Sequence, residues 1–126
     1  MATNELKIVI RLLKSAAKKF NELDSEAHFA LRMKQDVTTH RKKLLEKAQL
    51  LLNLENEIII PLSVMKGAEL DISYEIKEQV ASFAFSARDA IKKNNLFALG
   101  TLLTSMGSKE GEGNYLEKLI EDLEKK

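Results

Sequence analysis

Apolar side chains recur over residues 4–23 at Leu6, Val9, Leu13, Ala16, Phe20 and Leu23, in alternating steps of three and four. That spacing is the seam of an amphipathic helix. Ile10, Leu12 and Ala17 widen it, while Lys7, Arg11, Lys14 and Lys18 line another face. Asp24 and Ser25 are good N-caps and Glu26 suits a first turn, so a second helix is predicted to start there. Ala30, Val37, Leu44, Leu51 and Ile58 then recur every seven residues, with Leu45, Leu52 and Ile59 alongside, and no breaker stands before Pro61. A helix over 26–58 is about 50 Å long and the first only about 30 Å, at roughly 1.5 Å per residue. A helix that much longer than its neighbour overhangs it, bends, or is covered by later helices. An overhanging apolar seam requires a partner.

Residues 59–70 hold the only Pro and a Gly, and read as a connector with one turn of helix at 62–66. A third helix is predicted over 71–94 on the seam Ile76, Val80, Phe83, Ala87 and Ala90 or Ile91. Phe85, Ala81 and Ala84 add apolar surface on other sides, which suggests a central helix. Asn94 or Asn95 caps a short helix through Leu96, Leu99, Leu102, Leu103 and Met106, with Gly107 at its C-terminal end. After a polar stretch at 108–114, Asn114 and Glu117 have the spacing of a capping box. The last helix follows with Leu116, Leu119, Ile120 and Leu123. The fold expected is all-α, a single domain over 1–126, an antiparallel bundle of four to five helices built around the long helix 26–58.

Composition narrows the chemistry. With Cys 0, disulfides, iron–sulfur clusters and thiol nucleophiles are excluded. No apolar run approaches the roughly 18 residues of a membrane span, and no signal peptide develops, so membrane insertion is not expected and a cytoplasmic protein is. Charge is uneven: residues 1–50 carry net +5 and residues 51–126 net −4, against +1 for the whole chain. Basic helices lying beside acidic ones account for that, as does a basic face turned to an acidic partner.

The densest basic stretch places Arg32, Lys43 and Lys47 on one side of the helix predicted at 26–58. It carries no aromatic residues for base stacking. His40 stands between Val37 and Leu44 on the apolar seam, one turn after Asp36; the same spacing links Asp24 and His28. Asp at that spacing can hold the ring and favour its charged form, which makes His40 a candidate pH-sensitive contact or general base. On one helix, His28 and His40 point about 120° apart and cannot share an ion. No metal or cofactor is expected.

Arg32 and His40 also bear on one family. In size and helical content the chain resembles the HEPN ribonucleases, helical bundles with an Arg and a His on one helix, separated by fewer residues than here. Seven residues separate Arg32 from His40, and Met33 replaces the polar residue usual after the Arg. The resemblance implies a small helical ribonuclease, but the departures carry no residue over as catalytic.

The leading functional expectation is therefore a non-enzymatic protein–protein interaction module, an adaptor or small chaperone-like protein. It would use its amphipathic helix faces for another protein or for self-association, through Leu44, Leu51, Leu52 and Ile58. The alternatives are nucleic-acid binding through the basic face of residues 32–47, and the ribonuclease.

Overall fold

The computed structural model describes residues 4–103 and 114–125. Among these, five α-helices follow one another: α1 Asn4–Lys34, α2 Val37–Ser63, α3 Leu70–Lys93, α4 Leu96–Gly100 and α5 Tyr115–Glu124, with a 3-10 turn at Gly67–Glu69. The fold is the all-α antiparallel bundle expected. The helix at its centre is α2, which packs on α1, α3 and α4, whereas α5 lies along α1.

The first two helices divide differently from the sequence pattern. No break occurs at Asp24 and Ser25, and no single helix spans 26–58. Instead α1 continues to Lys34, because Ala27 and Ala30 extend the buried seam of Phe20 and Leu23 by steps of four and three. A cap is worth about 1 kcal/mol, less than the packing of two further helical turns. The chain turns at Gln35, in the left-handed region at φ 52°. The Asp36 N–H donates to Ala30 O at 2.9 Å across this turn. Asp36 then caps α2: the Thr39 N–H donates to its Oδ1 at 3.0 Å and the Thr39 hydroxyl to its Oδ2 at 2.6 Å. At 31 and 27 residues the two helices match in length, so the predicted overhang is gone. The seven-residue series from Ala30 is also divided: Ala30 faces the core from α1, and Val37 is exposed.

Three contacts fix the register of this hairpin. His40 Nδ1 lies 2.8 Å from Ala27 O, Lys43 Nζ 2.8 Å from Glu26 Oε2, and Lys47 Nζ 2.8 Å from Asp24 Oδ1. Each step back along α1 is matched by a step forward along α2. At its far end α2 runs through Pro61 for two more residues, since Leu62 is buried there.

The remaining elements fall close to their predicted places. Asn94, at φ 52°, ends α3 as a left-handed cap, its N–H donating to Ile91 O and that of Asn95 to Ala90 O, a Schellman arrangement. Asn95 Oδ1 accepts from the N–H groups of Phe97 and Ala98 and starts α4. The Asn114–Glu117 capping box forms in both directions. The predicted continuation to Met106 and Gly107, and the polar stretch from 108 to 113, lie outside the described residues.

Two predictions follow from the turn. A left-handed residue with a Cβ costs about 1 kcal/mol, so Gln35→Gly is expected to raise the melting temperature and Gln35→Val to lower it. The hydrogen bonds from Thr39 hold the Asp36 carboxyl below its ordinary pKa of 3.8. A carboxylate with a depressed folded-state pKa stabilises above its unfolded value and loses that contribution as pH falls through the folded one. The stability gap between wild type and Asp36→Ala, followed by urea titration, is therefore expected to be full at neutral pH and to narrow in acid below pH 3.8.

Candidate interaction surface

The seam proposed for partner binding lies largely inside the bundle. Leu44, Leu51 and Ile58 are fully buried, and Leu52 is half-buried against the same core. Their positions on α2 face α1 and α3, which cover them once α1 reaches full length.

The basic group is divided in the same way. Arg32 is exposed on α1, while Lys43 and Lys47 sit on α2. Lys43 bonds Glu26 and also approaches Glu46 at 3.8 Å. The hydrogen bond from Lys43 holds the Glu26 carboxyl below its usual pKa, and the bond to Glu26 raises that of Lys43. Lys47 is enclosed: only 1% of its side chain is exposed. Besides Asp24, its ammonium donates to Gly100 O at 3.3 Å and lies 5.0 Å from the centre of the Phe20 ring. A lysine at an apolar position of the seam thus ties together α1, α2 and the end of α4. Two of the three predicted cations are consumed by internal pairs.

His40 is also interior, 9% exposed. Asp36 does not hold its ring, because both carboxylate oxygens are engaged by Thr39. The other predicted pair does form, with His28 Nε2 3.5 Å from Asp24 Oδ2. His28 and His40 stand on facing helices, not on one, and their ring centres come within 6.5 Å. Among the described residues no group of three or more His, Asp or Glu could hold a metal ion. Arg32 and His40 likewise belong to different helices, so the arrangement of the HEPN ribonucleases is not reproduced. No helix among the described residues is long and apolar enough to cross a membrane.

Apolar surface is exposed elsewhere. Between α3, the end of α4 and the start of α5 runs a groove of ≈ 510 Å³. Its floor is formed by Phe83, Ala90, Leu102 and Leu103, all buried or nearly so. Phe85 and Tyr115 stand on its rim, 67% and 45% exposed, between the polar groups of Ser82, Ser86 and Asp89. Phe97 on α4 is 79% exposed. The seam of α3 passes through Phe83 and Ala87, so Phe85 necessarily points off it, a signal already legible in the spacing. Nothing in the spacing links Phe85 to Tyr115, thirty residues away.

The enclosed ion pair has a measurable consequence. Removing one partner of a buried pair leaves an unpaired charge and costs about 3–5 kcal/mol, whereas replacing the cation by an apolar side chain of similar volume is often neutral. Asp24 is one-third exposed, which lowers its share. Denaturant unfolding should show Asp24→Ala to be clearly destabilising and Lys47→Met to be less so.

No protein-family model matches this chain, and no curated protein and no solved structure is significantly similar to it.

Proposed function

We propose that this protein is a non-enzymatic interaction module that receives an amphipathic helix of a partner protein in the groove between α3, α4 and α5. The observation that supports this reading most is the exposure of Phe85 beside an apolar floor. Large aromatic side chains in water are unfavourable alone and are the residues on which protein interfaces concentrate binding energy. The lining is also of the right kind for a helix laid in a groove: apolar side chains below, with hydroxyl and carboxylate groups along the rim to fix register. The surface differs from the Leu44–Ile58 seam expected from sequence, which a partner could reach only by opening the α1–α2 hairpin.

Nucleic-acid binding through residues 32–47 has less support, since Lys43 and Lys47 are paired with carboxylates and would have to release them to meet phosphate.

The test is a comparison of tagged wild type with the Phe85→Ser/Phe97→Ser variant in pull-downs from nuclease-treated native lysate. Both residues are exposed, so helicity by circular dichroism is expected to be unchanged. Hot-spot aromatics contribute about 2 kcal/mol or more each. At least one protein held by the wild type should therefore drop by about tenfold or more with the variant. Recovery of the same proteins in the same amounts by both forms would remove the groove from the account.

A further inference from the structure

The closed end of the α1–α2 hairpin carries a second exposed surface, of different composition from the groove. Phe29 and Met33 occupy successive turns of one side of α1, 54% and 72% exposed. Leu31 projects from the opposite side of the same turn, and Val37 opens α2; both are exposed as well. These four side chains therefore surround a convex tip and do not line a concavity. All lie within the last six residues of α1 or at the first of α2, an axial depth of about 8 Å.

The tip is basic. Arg32 and Lys34 stand on α1 and Arg41 and Lys42 one turn into α2. Among the described residues, no carboxylate lies within ion-pair distance of any of the four. Lys34 lies with its ammonium 5.6 Å from the centre of the Phe29 ring. The one carboxylate at the tip, Asp36, has both oxygens bonded by Thr39. Glu26 and Glu46, farther along the hairpin, are already paired with Lys43.

We propose that this tip docks end-on at an anionic phospholipid surface. Apolar side chains on several sides of a convex end suit a fluid interface, which can surround them, better than a protein face, which meets one side. Their depth matches the about 5–10 Å to which apolar side chains enter the headgroup boundary. Arg41 and Lys42, set back by about 6 Å along α2, would then lie at the level of lipid phosphates. Long basic side chains suit that position, with their stems against the apolar layer and their charges in the polar one. Such docking is peripheral and involves no spanning helix.

The experiment is flotation of the full chain with phosphatidylcholine vesicles, with and without phosphatidylserine. Binding is expected only with phosphatidylserine, and it should weaken with added salt. Phe29→Ser/Met33→Ser and Arg41→Gln/Lys42→Gln should each lower partitioning by about tenfold or more. Lys7→Gln/Arg11→Gln, which removes the same charge at the other end of α1, should leave it unchanged. Absence of binding, equal binding to both vesicles, or an equal loss in the Lys7/Arg11 variant overturns the proposal. So does concentration-dependent self-association without vesicles that the tip variants abolish, which would assign the tip to a second copy of the chain.

Discussion

The turn at Gln35 and Asp36 is the constraint on which the rest of this bundle depends. It sets α1 and α2 to matching lengths and fixes which residues of each face the other. From it follow the contacts of Ala27 with His40, Glu26 with Lys43 and Asp24 with Lys47, a ladder of three polar links along one hairpin. A turn ten residues earlier would reverse these relations. It would place Lys47 far beyond the end of α1 and leave the second half of α2 without a neighbour there.

Lys47 makes that register specific. Apolar seams alone tolerate sliding by a helical turn, because one Leu replaces another at little cost. An enclosed ammonium does not, since it must meet Asp24 and Gly100 O or remain unpaired away from water. The same contact brings the end of α4 onto the hairpin, and α4 in turn carries one wall of the groove beside α3. The positions of Phe85, Phe97 and Tyr115 thus trace back to a polar contact in the core. With the central seam covered on α2, the exposed apolar groups of the groove and of the hairpin tip are distinct surfaces. One is concave with a polar rim, the other convex with a basic one.

Much of this architecture was legible in residue spacing. The limits of α3 fall within one residue of those read from its seam, and the caps at Asn95 and Asn114 formed as their side chains predict. The hairpin turn was not legible, for a physical reason. Asp24, Ser25 and Glu26 carry every mark of a helix start, yet the packing of Ala27 and Ala30 overrides them. Gln35 carries no mark of a left-handed residue, which is ordinarily Gly or Asn. The seven-residue series continued across the turn only because Ala30 and Leu44 reach one core from opposite helices. The misplaced turn carried the site assignments with it: Arg32, Lys43, Lys47 and His40 were set on one helix and lie on two. The grouping of Phe85 with Tyr115 needs the tertiary fold.

The most direct test of this account is the nuclear Overhauser contact between the Phe20 ring and the ε-methylene of Lys47 in the labelled protein. Their groups lie 5.0 Å apart when the chain turns at Gln35 and Asp36, so the contact is predicted to be present. Its absence, with contacts instead from Phe20 to side chains near residue 29, would place the turn at Asp24 and contradict the hairpin from which the rest is derived.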